Sequence, residues 1–513
     1  MTSDSPGRRA VTHSVVRWMF LRLLGLTALI ATLSLTVQAE GLFGTDGILP
    51  ADVQLGEVER FGESEGWSLW DRFRRVPTIG WFVPGGSAVD AAIALSLLGS
   101  LMLLFNAVPL LGALLAFFGY LSLQTMGGVF TGYQWDILLI EVLFCSFFLT
   151  PGGVRPGFAW DRRVSPAGLL VHRALLFKVM FLSGIVKWTS GDPTWADLSA
   201  LTYHYWTQPL PNGLSWHVHH LPEWIHSLSA GVMFAIEVGG PFLLVFGRRG
   251  RALAFVLFTG LLLTMALTGS YGFFHILTFT LCVLALDDGW VRAVLPSRLV
   301  RHLQKDPPPR SRGRVRRILG WCLGGALILV SVSQMTLRVD RAAPVPDPLR
   351  AAFEWLAPFQ VVNNYGLFAT MTTERLEVVM EGTVDGVSWE TLHLPYKPTR
   401  MTDAPRSAGV HMPRLDWQLW FAGLRGHCRN TRWYLPFVKK LLEEEGEVQG
   451  LLAERPFGGK RPIRIRSTLH SYRFAPPETR ERTGQWWVRS HVRRFCPTLA
   501  LEGDRLKAVP DVR

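Results

Sequence analysis

Ionisable residues stand inside long apolar stretches of this chain, among them Asp136, Glu141, Lys178 and Glu237. A charged side chain at the centre of a bilayer costs roughly 2.5–3.5 kcal/mol on insertion scales, so each needs a partner or a task. Asp136 and Glu141 are five positions apart, about 140° around a helix axis, and need not share a face. Lys178 and Glu237 are the natural partners for Glu141. Such a cluster either binds a ligand or couples spans, and polar groups buried between spans commonly act as packing glue. Packing is the reading carried forward.

A second constellation is aromatic. Gly191 to Leu198 runs into Tyr203-His204-Tyr205-Trp206-Thr207-Gln208-Pro209-Leu210-Pro211-Asn212, and His217, His219, His220 and His226 follow. Imidazole is the usual metal ligand, yet no HExxH or Cys/His set accompanies these histidines and the nearby acid is Glu223. No metal is expected. Trp195, Tyr203, Tyr205, Trp206, Trp216 and Trp224 suit the headgroup level, where amphipathic rings collect. Pro209 and Pro211 stiffen the segment into an extended shelf, and Trp195 to Gln208 becomes a candidate surface for another protein. A third group, Arg414, Asp416, Trp417 and Trp420, mixes charge and aromatic character within one turn or two. Trp and Arg dominate binding hot spots, so this group either faces a partner or forms an internal Arg414–Asp416 clamp.

Motifs for bond-making are missing from the sequence. Gly41-Leu42-Phe43-Gly44-Thr45-Asp46-Gly47 lacks the following Lys-Ser/Thr of a phosphate loop and reads as a turn. There is no nucleophile elbow, nucleotide fingerprint or CxxC pair, and no cofactor is expected.

The elements that must position these residues follow from composition. A mean hydropathy of +0.21, with 49% apolar and 18% charged residues, describes a polytopic membrane protein. A span needs about 20 apolar residues, and nine runs are predicted: 17–37, 88–105, 107–124, 133–150, 167–187, 226–246, 251–268, 271–288 and 318–337. The first run could also be read as a signal peptide ending near Ala39; its length favours an anchor. Short cytoplasmic loops accumulate Lys and Arg. Placing Arg8, Arg9, Arg17 and Arg22 inside puts Arg155, Arg162, Arg163, Arg248, Arg249, Arg251 and the 292–317 run on that side too. The same parity sends 38–87, 188–225 and everything after Arg338 to the opposite face. Much of the +13 charge is thus a topology signal against anionic headgroups, and nucleic acid is not an expected partner.

Residues 341–349 form a Pro-rich linker, and 350–513 a C-terminal domain of different pattern. Leu376 to Gly382 and Ser388 to Leu394 alternate on either side of Asp385-Gly386, which predicts a hairpin with Trp389 in the core. Ile463 to Leu469 and Tyr472 to Phe474 read as strands, and Leu435 to Glu445 as a short helix. The domain is expected to be mostly β and sandwich-like. Cys428 and Cys496 lie within it and could pair if it is exported; Cys145, Cys282 and Cys322 lie in spans.

Several long motifs occur in one order: Tyr133-Gln134-Trp135-Asp136 through Glu141, Gly191 to Trp216, Thr268-Gly269-Ser270-Tyr271 through Asp287-Asp288, Val362-Asn363-Asn364-Tyr365-Gly366-Leu367-Phe368, Arg414-Leu415-Asp416-Trp417-Gln418-Leu419-Trp420-Phe421 and Trp486-Trp487-Val488-Arg489. Together they resemble the lipase maturation factor family. That resemblance implies a non-catalytic factor of the endoplasmic reticulum membrane that helps secreted homodimeric lipases reach their active assembly, with the C-terminal domain engaging the client. Ser270 and His275 depart from the asparagines of animal members. The Arg-rich composition suits a bacterium, where a plasma membrane replaces the reticulum. The expected partners are an exported, lipase-like client and the lipid bilayer. The multispan body with a β-rich appendage is also reminiscent of vitamin K-dependent carboxylase-like proteins, and that resemblance implies the alternative in which Lys178 is a base at the lipid boundary with His204 and Glu237 nearby.

Overall fold

The computed structural model describes residues 12–83, 85–156, 164–294, 314–443, 446–454 and 456–510. Arg8, Arg9, Arg162, Arg163 and most of the 292–317 basic run lie outside them. Seven helices are long and apolar enough to cross a membrane: Ser14–Phe43, Gly85–Leu104, Pro109–Phe130, Pro166–Trp188, Glu223–Val245, Gly247–Thr268 and Arg317–Val339. An eighth position is the pair Phe274–Val283 and Asp288–Val294, bent by 109°.

The run expected to span at 133–150 is a helix of 13 residues, Gln134–Ser146. At 1.5 Å per residue it is about 20 Å long, short of the ~30 Å hydrocarbon core. Its apolar residues Leu138, Leu139, Ile140, Val142 and Leu143 are instead all buried by neighbouring helices. Seven of the described helices, or eight with the bent pair, are thus long and apolar enough to cross a membrane by themselves, and the polytopic helical class stands.

Two devices hold the bundle. A Cβ on Gly99 would sit 2.2 Å from the Ala116 amide nitrogen, so the Gly85–Leu104 and Pro109–Phe130 helices meet backbone to backbone, as small residues allow in lipid. The Ser14–Phe43 helix begins on a distant acid: the Asp288 carboxylate accepts the amides of Ser14, Val15 and Val16 at 2.8, 3.0 and 3.1 Å. Those amides have no partner within a helix, and a carboxylate is the charge a helix N-terminus favours.

The C-terminal domain carries one antiparallel sheet of order β2-β1-β3-β4-β5, with β1 Arg375–Thr383, β2 Glu390–Thr391, β3 Arg464–Phe474, β4 Trp487–Glu502 and β5 Arg505–Ala508. The hairpin is present, Glu381 facing Thr391 and Gly386 at φ +82°. Trp389 is not core: it is half-buried, with the Arg466 guanidinium 4.2 Å above its ring. The strands also form one sheet rather than the two of a sandwich. Helices Arg414–Arg425 and Tyr434–Glu443 cover one face, burying Val378, Met380, Leu415, Leu419 and Phe437. A Cβ on Gly423 would lie 2.1 Å from the Leu376 carbonyl oxygen, which is how closely helix and strand meet. Cys428 and Cys496 form a disulfide, Cα atoms 5.4 Å apart.

Candidate functional site

The second face of the sheet is covered by the shelf from the membrane unit. Tyr205, Trp206 and Trp216 form one apolar cluster with Val379, Tyr472, Phe474 and Trp487 of the C-terminal domain. Locally the shelf is two short helices, Ala200–Thr207 and Gly213–His219, with Gln208 to Asn212 extended between them as its prolines dictate. The carbonyls left open by that extended piece are taken by Arg375 of β1, whose guanidinium donates to Trp206 O at 3.0 Å, to Pro209 O at 2.9 Å and to Gln208 O. Indole donors close the remaining gaps: Trp195 to Phe368 O at 3.0 Å, Trp216 to Ala475 O at 3.0 Å and Trp420 to Thr207 O at 2.8 Å.

Charge completes this joint. Arg414 reaches Asp136 through two nitrogens, at 2.5 and 2.7 Å, both side chains fully buried. A charge can be buried only when paired and hydrogen-bonded, and here each domain supplies half of the pair. The expected Arg414–Asp416 clamp is thus corrected: Asp416 accepts the backbone amides of Tyr396 and Lys397 at 2.9 and 2.8 Å. Burial pushes its carboxyl up to about 6 against the pull of those amides. Glu141 pairs with Lys178 at 2.5 Å and also accepts from the Asn363 side chain at 3.1 Å and the Tyr365 hydroxyl at 2.6 Å. The Asp192 carboxylate accepts the Met371 amide at 2.7 Å. On the first helix, Gln38 binds Met412 O at 2.9 Å and accepts the Arg414 amide at 2.8 Å.

Glu237 stands apart from the expected intramembrane cluster. Its partner is Lys187, at 2.7 Å, so Asp136, Glu141, Lys178 and Glu237 are divided among three ion pairs. The trio of the carboxylase-like alternative is divided as well. Lys178 is engaged by Glu141 and Ser331, whereas His204 and Glu237 share the lining of another cavity with Lys187. His204 is hydrogen-bonded to the Tyr271 hydroxyl at 3.1 Å.

The client-binding candidates lie at the joint. Trp195, Tyr205, Trp206, Gln208, Arg414, Asp416, Trp417 and Trp420 are buried, and Tyr203 and His204 half-buried; they join the two parts of this chain. Among the described residues no three His, Cys, Asp or Glu side chains come together as a metal site. Sequence reasoning missed a second buried network: Glu377 holds Arg375 at 2.6 Å and Lys397 at 2.9 Å. Charged residues at Arg375 and Glu377, two apart on an inward strand face, were its only signal.

This is a polytopic membrane protein whose extramembrane sheet is completed by its own membrane unit. The lipase maturation factor transmembrane domain profile matches residues 15–293, and the lipase maturation factor C-terminal domain profile residues 361–497. The chain is 32% identical to lipase maturation factor 2 of Gallus gallus, over 94% of its own length and 81% of that protein. It is 30% identical to lipase maturation factor 1 of Mus musculus, over 98% and 90%, and 30% identical to lipase maturation factor 2 of Homo sapiens, over 96% and 84%. The chain belongs to the lipase maturation factor family. No solved structure matches it.

Proposed function

We propose that this protein assists the maturation of exported lipases or related hydrolases, by binding them rather than by making or breaking bonds. The observation that carries this reading is relatedness to named lipase maturation factors through both domains. The N-terminus is cytoplasmic and the C-terminal domain lies on the exported side, in the periplasm or exterior if the host is bacterial. The Cys428–Cys496 disulfide suits such an oxidising compartment.

In this reading the aromatic shelf and the Arg414–Trp420 helix make a rigid platform, and the client meets an exposed patch beside it. Trp70, Phe82 and Trp355 are 63, 61 and 52% exposed, linked through Phe73 and Phe359 by ring contacts of 5.8 to 6.1 Å. A contiguous apolar patch marks an interaction surface; it would hold the apolar face of an immature lipase until the second subunit covers it. In cells that depend on this protein, Trp70→Ala with Trp355→Ala is expected to lower secreted lipase activity at least five-fold while lipase polypeptide is made at its normal level. Normal secreted activity in cells lacking the protein altogether sinks the reading.

A further inference from the structure

A cavity of about 690 Å³ lies between the Glu223–Val245 and Gly247–Thr268 helices and the shelf. Gly260 and Thr264 line it and are exposed, and only 17% of the Gly247–Thr268 span is buried inside the protein. The cavity therefore opens on a face that hydrocarbon covers. Most of its wall is apolar, with Val232, Met233, Leu261 and Phe368 contributing.

Its polar end is built from opposing charges and neutral donors and acceptors. Lys187 binds Glu237 at 2.7 Å and Ser183 O at 2.8 Å. A π-helical turn, Ala235–Gly239, carries Glu237; such turns recur at functional sites. His226 also lines the cavity. Its Nε2 faces Leu221 O at 3.1 Å and His219 O at 3.3 Å, which fixes the ring in the cavity wall.

Charge and size restrict the occupant. The Lys187 and Glu237 charges cancel, and burial, followed by the Lys187 charge, holds His204 down to about 4 and hence neutral. An anionic or cationic head finds no free countercharge here. Small-ligand sites span about 300–1,000 Å³, the range in which this cavity falls.

We propose that this cavity binds an uncharged amphiphile drawn from the bilayer, its acyl chain along the apolar wall and a hydroxyl- or amide-type head hydrogen-bonded beside the Lys187–Glu237 pair. The site is separate from the client surface and does not rest on the maturation reading.

The test uses the full chain in phosphatidylcholine nanodiscs and a monoacylglycerol carrying a diazirine in its acyl chain. Labelling is expected on the two cavity helices, with competition by unlabelled monoacylglycerol and not by the fatty acid of equal chain length. A Cβ at Gly260 meets nothing within 4 Å, so a side chain there starts unhindered at the cavity, and Gly260→Trp is expected to lower labelling at least ten-fold at an unchanged thermal transition. Gly260→Leu should give an intermediate loss, and carries the test by itself if the tryptophan variant does not fold. Gly231→Trp, equally unhindered and outside the lining, should label like the parent. Labelling spread evenly over all spans, undiminished labelling in both Gly260 variants, or equal competition by the fatty acid overturns the proposal.

Discussion

Two buried ion pairs of similar chemistry stand in opposite surroundings. Arg414 and Asp136 are fully enclosed where the two domains meet, with the Tyr120 hydroxyl donating to the same carboxylate at 2.6 Å and Phe130 O accepting from Arg414 at 3.1 Å. Lys187 and Glu237 line a cavity of about 690 Å³. When protein packs every side of a pair, the pair acts as a bolt between elements. Where open space adjoins it, the pair becomes a polar end against which a small molecule can settle.

The largest expected effect breaks the bolt. Arg414→Leu leaves Asp136 charged and enclosed, which should cost about 3–5 kcal/mol, and Arg414→Leu with Asp136→Leu should recover most of that loss. Lys187→Met also strands an acid, but one that borders open space into which its side chain can relax, so the expected loss is smaller, about 1–2 kcal/mol. Thermal unfolding in detergent measures both; equal losses would erase the contrast between the two pairs.

Asp416 sharpens the view of the joint through pH. Its carboxyl is raised from 3.8 to about 6 in the fold, so the folded state prefers the protonated form. The resulting stabilisation is fully present below about pH 4 and is lost as pH rises through 6. A displacement of about two pH units corresponds to about 3 kcal/mol. The stability of Asp416→Asn relative to the parent should therefore rise by about that amount between pH 4 and 7; a flat difference contradicts the assignment. The smallest effect is expected of Trp420→Phe, which keeps an aromatic ring, though a smaller one, and removes the indole N–H bonded to Thr207 O. A loss of about 1 kcal/mol is the ordinary worth of such a bond, and proteolysis rates of the shelf should rise with it.

Much of this was legible in the residues. Apolar run lengths announced the helical class, the Asp385-Gly386 turn announced its hairpin, and the ordered motifs from Tyr133 to Arg489 carried the family. Asp136, Glu141 and Glu237 could be recognised as needing partners because burying a charge is costly wherever it occurs. The partners themselves were not all legible: Arg414 lies 278 positions from Asp136, and nothing local distinguishes it from a surface arginine. Glu141 found its expected Lys178, whereas Glu237, carried on the π-helical turn, pairs with Lys187.

Local chemistry, then, determined which segments enter lipid, which turn and which side chains demand compensation, since those follow from hydration and backbone preference residue by residue. Tertiary structure alone decided that the aromatic shelf would be the missing layer of a distant sheet, that a run of eighteen residues would contribute only a short interior helix, and that one ion pair would be sealed while another borders a cavity. Those outcomes depend on which surfaces meet, and complementarity between surfaces belongs to the assembled chain.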